Sequence, residues 1–158
     1  MNKPLTALFV FILVSFDQAS KLWISSVLEL GESLNLLPFL NFILIHNTGI
    51  AFSMFNDGGN LFRWILVALI FILVIYLFFL LLKETNRHFL EYSSLLLISC
   101  GGLGNLIDRI ISGYVIDFIH VYYQHYSFYV FNLADSFITL GVIIYLIYFF
   151  FLEGIKDK

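Results

Sequence analysis

Four long apolar runs dominate the chain, and polar residues interrupt them at only a few positions. Leu5 to Leu28, Leu61 to Leu82, Phe89 to Ile111 and Phe131 to Leu152 each supply the ~20 residues that a helix needs to cross a bilayer. The runs are continuous rather than alternating, so they predict helices and not the strands of a barrel. Lipid offers an unpaired backbone no partner, which excludes other spanning forms. The expected fold is therefore membrane all-α, with four transmembrane helices in a single integral membrane domain over residues 1–158. A signal peptide is the competing reading of the first run, since Lys3 precedes Leu5 to Phe16. Asp17-Gln18-Ala19-Ser20-Lys21 is a poor small-residue cleavage site, so the run is expected to stay as a helix.

The connections differ in charge. Lys3, Lys83, Arg87, Lys156 and Lys158 fall at the N-terminus, the second connection and the C-terminus. Glu29 to Asn60 and Ser112 to Val130 contain no Lys or Arg. Cytoplasmic loops are the Lys/Arg-rich ones, which predicts an N-in/C-in chain with two extracytoplasmic loops. The first of these is long and holds Pro38, the stretch Asn41 to His46 and the turn-prone Asn56-Asp57-Gly58-Gly59, so short strands at the membrane surface are expected there. The second is rich in aromatics (Tyr114, Phe118, Tyr122, Tyr123, Tyr126, Phe128, Tyr129) and reads as an interfacial belt.

Composition agrees. Hydrophobic residues make up 61% of the chain and charged ones 12%, too little polar surface for a soluble domain of this size. The net charge of -3 is small, and no basic patch points to nucleic acid; lipids are the expected surroundings. Cys100 is the single cysteine, which excludes an intramolecular disulfide and suits a small buried apolar residue.

An ionisable group at membrane depth is costly and points to function. At ~1.5 Å per helical residue, Asp108 stands about 28 Å above Phe89 and Asp17 about 21 Å above Lys3. Asp135 lies near the start of the descending fourth span, and Asp117 lies in the loop just above. Four carboxylates thus gather in one outer zone. Asp17 and Lys21 are i and i+4 on one helical face; Gly101, Asn105 and Asp108 form a stripe with Arg109 beside it; Asn132 and Asp135 are i and i+3. Gly101 and Gly104 suit close helix packing. The plain alternatives are that Asp17–Lys21 and Asp108–Arg109 are structural ion pairs, and that Asn105 and Asn132 merely bridge helices. Asp117 and Asp135 have no cation at i±3 or i±4, which suggests two carboxylates sharing a proton. His46, His120 and His125 lack an HExxH or other metal-ligand spacing, so no metal is expected. On residues alone, a hydrolase, a proton-coupled transporter and a structural membrane subunit all remain open.

In chain order, the polar motifs carry a resemblance. Asp17-Gln18 with Lys21, Asn47-Thr48-Gly49-Ile50-Ala51-Phe52, Gly104-Asn105-Leu106-Ile107-Asp108-Arg109, Val115-Ile116-Asp117-Phe118 and Phe131-Asn132-Leu133-Ala134-Asp135 together resemble the motif set of the bacterial lipoprotein signal peptidases, signal peptidase II. The resemblance implies an intramembrane aspartic endopeptidase that cleaves the signal peptide from diacylglyceryl-modified prolipoproteins just before the lipidated cysteine. It implies Asp117 and Asp135 as the catalytic pair, and Asn47, Asn105, Arg109 and Asn132 as substrate-contacting or site-ordering positions. Asp17, Lys21, Gly49 and Asp108 would support the site. It further implies no cofactor, and a multi-pass protein of the bacterial cytoplasmic (inner) membrane with its site on the extracytoplasmic side. The family's outer β-platform and lid would map onto the first outer loop. Nothing demands an oligomer, and a monomer is the expectation.

Overall fold

The computed structural model describes residues 3–49, 59–83 and 87–152. Four helices, α1 (Lys3–Val27), α2 (Gly59–Lys83), α3 (Phe89–Ile111) and α4 (Leu133–Phe151), are long and apolar enough to cross a membrane. They match the expected spans within a few residues. The Ile50-Ala51-Phe52 part of the second motif, the Asn56-Asp57-Gly58 turn, and Lys156 and Lys158 lie outside the described residues.

α3 is the centre of the bundle. Of its most apolar stretch 61% is buried, against 17%, 22% and 17% for α1, α2 and α4. α2 lays Val67, Val74 and Leu81, seven residues apart, on α3, where Leu106 meets the first two and Leu95, Leu96 and Cys100 meet the last. Cys100 is thus a core residue. On α1, Asp17, Lys21 and Ile24 form one buried stripe, while Phe16 and Leu22 are 60% and 71% exposed, as lipid-facing positions should be.

The two long connections form an antiparallel sheet of order β1-β2-β3-β4. Strands β1 (Ser33–Leu37) and β2 (Leu40–Asn47) lie where strands were expected. Strands β3 (Val115–Tyr123) and β4 (Tyr126–Ser127) lie in the second, aromatic connection, where Tyr123, Tyr126, Phe128 and Tyr129 stay exposed and Phe118 does not. The run Val115 to Tyr123 is rich in β-branched and aromatic residues, the composition that fits a pleated, half-buried surface. Phe118 therefore does not sit at a lipid interface. It is 3% exposed, packed with Ile24, Leu28 and Leu44, which docks the sheet on the end of α1. Trp23, Phe42 and Phe118 continue this contact edge to face.

α4 begins later than the apolar run. Phe131 belongs to the sheet, accepting at its carbonyl from the Phe118 and Ile119 N–H groups and donating to the Ile119 carbonyl. Asn132 then caps the helix, so the span opens at Leu133 rather than Phe131. This splice fixes the start of α4 against β3.

Arg63, near the start of α2, donates to the carbonyls of Arg109 and Ile110 at the C-terminal end of α3. Those carbonyls lack helical partners, and the guanidinium satisfies them.

α3 and α4 cross closely. A Cβ on Gly101 would collide with the Ala134 carbonyl and lie 2.7 Å from Ile138 Cγ1. At Gly102 the nearest atom is Val74 Cγ2 at 3.0 Å, the end of a side chain. Gly101→Ala is expected to destabilise the purified protein by roughly 1–3 kcal/mol, as overpacking does, while Gly102→Ala changes little. Thermal unfolding in detergent compares the two.

Candidate active site

Four elements bring charge to the end of the bundle beneath the sheet. The Lys21 ammonium is 1% exposed and reaches Asp17 at 2.8 Å and Asp108 at 2.9 Å. Gln18 Nε2 donates to Asp108 Oδ1 at 2.9 Å, to Asp17 Oδ2 at 3.1 Å and to the Gly104 carbonyl at 3.2 Å. Asp17 Oδ1 also accepts the Ala134 N–H at 2.9 Å. A buried charge must be paired and hydrogen-bonded, and both conditions hold here. Gly104 makes the approach possible, since a Cβ there would stand 2.5 Å from Asp17 Oδ2. The expected Asp108–Arg109 ion pair does not form. Consecutive residues point to different sides of a helix, so Asp108 turns to Lys21 while Arg109 Nη2 donates to the Gly49 carbonyl at 2.8 Å.

Lys21 also donates to Asn105 Oδ1 at 3.1 Å, which links this cluster to the two remaining carboxylates. Asn105 Nδ2 donates to Asp135 Oδ1 at 2.7 Å. Asn132 Nδ2 donates to Asp117 Oδ1 at 2.7 Å and to Asn105 Oδ1 at 3.1 Å. Asn47 Nδ2 donates to Asp117 Oδ2 at 2.9 Å. The Asn132 N–H reaches Asp135 Oδ2 at 3.3 Å, half of a capping box whose other half is the Asp135 N–H on Asn132 Oδ1. Each of the four carboxylate oxygens thus accepts a neutral donor.

Local structure explains why these side chains meet. Asp117 pairs with Ile45 across β2 and β3, and Asn47 with Val115, so Asn47 and Asp117 are diagonal neighbours on one face. The register shifts between Phe42 and Ile45, beside that pair, where a bulge can re-aim side chains. Asp135 is presented by the first turn of α4, which is spliced to the same strand. Asn47 Oδ1 accepts the Gly49 N–H, an Asx turn that ends β2.

Asp117 is 3% exposed. Burial first, and then the charge of Asp135, push its carboxyl up to about 6; the Asn47 and Asn132 amides and the Lys21 charge oppose the rise. A cleft of about 680 Å³ reaches both carboxylates. Asn47, Asn105 and Arg109 form its polar wall, and Phe128, Phe131, Ile138 and Leu140 are among its apolar lining. Apolar space with a few convergent polar groups is the form of a substrate site. A groove of similar size between α1 and α2, about 700 Å³, is lined by residues such as Val10, Phe11 and Phe78 and holds no carboxylate.

The structure therefore brings together Asp17, Lys21, Asn47, Gly49, Asn105, Asp108, Arg109, Asp117, Asn132 and Asp135 in one continuous set of contacts. Gln18 is the residue that sequence reasoning left without a role. The signal was present: Gln18 is a polar residue in an apolar run, three positions from Lys21 and on its side of the helix. The histidines stay apart from the cleft. His46 stacks on Tyr114, and His120 joins Asn41 to Ser127.

Known proteins resemble this chain over most of its length. A family model described as signal peptidase (SPase) II matches residues 9–151. A lipoprotein signal peptidase of Acinetobacter baumannii is 46% identical over 146 residues, covering 92% of this chain and 82% of that protein. One of Bartonella quintana is 45% identical over 135 residues, covering 85% and 79%. A bacterial membrane enzyme solved by the in meso method at 2.3 Å resolution superposes with a TM-score of 0.79 at 32% identity, covering 99% of this chain and 92% of that one. Matched by the family model over residues 9–151 and similar to these relatives over most of its length, this chain belongs to the signal peptidase II family, a family of peptide-bond hydrolases.

Proposed function

We propose that this protein is an intramembrane aspartic endopeptidase that releases the signal peptide from diacylglyceryl-modified prolipoproteins just before the lipidated cysteine. The observation that carries the reading is the pair Asp117 and Asp135, joined through the Asn105 and Asn132 amides at one cleft.

Two carboxylates in mutual electrostatic contact resist double ionisation and share one proton. The ionised member takes a proton from water, whose oxygen attacks the scissile carbonyl carbon. The protonated member donates to the carbonyl oxygen. The tetrahedral intermediate collapses with cleavage of the C–N bond, and the departing cysteine nitrogen takes a proton. The products are a signal peptide with a new carboxylate and a lipoprotein with a free α-amino group. Asn47, Asn105 and Asn132 hold the carboxylates, and Arg109, with donors left over, faces the substrate backbone.

The Lys and Arg asymmetry supports an N-in/C-in chain in the bacterial inner membrane, which sets the cleft on the extracytoplasmic side. The acyl chains of the substrate then stay in lipid while the scissile bond meets water. A proton-coupled transporter fits less well. Towards the far end of the bundle, the fully buried polar groups among the described residues are Thr6, Ser94, Ser99 and the Tyr92 hydroxyl, and the Arg87–Glu91 ion pair there is partly exposed at the end of the helices. In this reading the protein acts as a monomer.

Purified protein with a diacylglyceryl-modified prolipoprotein is expected to release a peptide whose mass places the cut before the modified cysteine. Asp117→Asn and Asp135→Asn, both folded by thermal unfolding, are each expected to lose about 10²- to 10⁴-fold in rate. Near-normal cleavage by either variant contradicts the dyad.

The alkaline limb of the pH–rate profile reports loss of the shared proton, which leaves Asp117 as pH rises through about 6. The Asn47 amide favours the ionised form of Asp117. Asn47→Ala is therefore expected to move that limb of kcat/KM to higher pH, by about half a pH unit or more.

A further inference from the structure

We propose that Lys21, beyond pairing buried carboxylates, is a positioning residue for hydrolysis that acts through Asn105; this rests on the dyad reading above. A side-chain amide has nearly the same shape when its oxygen and nitrogen exchange places, so something must choose the orientation. Asn132 has its orientation chosen by backbone, because its Oδ1 accepts the Asp135 N–H at 2.9 Å in the helix cap. Asn105 sits in mid-helix, with no cap to choose for it.

Its oxygen faces two donors instead, Lys21 Nζ at 3.1 Å and Asn132 Nδ2 at 3.1 Å. An ammonium has hydrogens to give and nothing to accept with. Turned the other way, the Asn105 amide would aim N–H groups at both donors and its oxygen at the Asp135 carboxylate. Lys21, together with Asn132 Nδ2, thereby keeps Asn105 Nδ2 on Asp135 Oδ1, the 2.7 Å contact that holds this carboxylate in the cleft. The lysine cannot drift, because Asp17 and Asp108 fix the ammonium and Gln18 bridges the two. Asp17 also binds the Ala134 N–H, so one buried cluster sets both the backbone before Asp135 and the side chain beside it.

A double-mutant cycle on cleavage of the diacylglyceryl-modified substrate separates positioning from bulk stability. The arms are Lys21→Met, Asn105→Ala and the combination, with Asp135→Asn as control and thermal unfolding to confirm fold. If Lys21→Met does not fold, Lys21→Met with Asp108→Asn, which removes one charge of each sign, replaces it in every arm. The expected result is a fall in kcat of about tenfold or more with KM within about threefold, and no further fall when Asn105→Ala is added. An unchanged kcat in the lysine variant, or losses that multiply with those of Asn105→Ala, overturns the proposal. A fully active Asp135→Asn control would instead overturn the dyad, so the two failures are told apart.

Discussion

A lysine ammonium buried among membrane helices cannot stand alone, and much of this structure follows from how Lys21 is accommodated. Charged groups in lipid are costly unless paired and hydrogen-bonded. Pairing Lys21 with Asp17 and Asp108 fixes α1 against α3 at the one level where Gly104 leaves room. The surplus carboxylate oxygens draw in Gln18, Ile116 N–H and Ala134 N–H, which ties in β3 and the first turn of α4 as well. Buried ion pairs are poor evidence of stability in themselves, and replacing one with apolar residues is often neutral or better. Here the return is geometric: three helices and a strand meet at fixed register.

That register places two further carboxylates where, among the described residues, neither has a cation bonded to it. Asp117 comes from a strand with a register shift beside it, Asp135 from a helix cap, and the splice at Phe131 joins the two. The donors that reach them are amides and a backbone N–H, which orient a carboxylate without neutralising it. On the proposed dyad reading, a lysine in contact with either would hold it ionised and end proton exchange. In that reading the same cation, one link away behind Asn105, orients without capturing.

Much of this was legible in the sequence, for physical reasons. Helices in lipid must be long, apolar and internally hydrogen-bonded, so α1 to α4 announce themselves in runs such as Leu61 to Leu82. Charges in such runs are rare, so Asp17, Lys21, Asp108 and Asp135 stood out. Partnerships were harder. Asp108 and Arg109 are adjacent in sequence, yet the helix aims them apart, one to Lys21 and the other to Gly49. β3 was hidden because aromatics suit an interfacial position as well as a strand, and nothing in the residues alone marks Phe118 as the one that packs under α1. The start of α4 was misplaced by two residues because Phe131 is as apolar as a spanning residue, while its backbone belongs to the sheet. Gln18 was passed over for want of charge, although hydrogen bonds alone give it a part in the site.

The central claim is that Asp117 and Asp135 titrate as one coupled pair, and infrared difference spectroscopy tests it most directly by following the carboxylic-acid C=O stretch against pH. In the wild type, the band belonging to Asp117 is expected to disappear as pH rises through about 6. In Asp135→Asn the neighbouring charge is gone, so the same band should disappear at lower pH. In Asp117→Asn that band should be missing. A midpoint that stays put in Asp135→Asn would mean that the two carboxylates do not share a proton, and the account of the site would fail at its core.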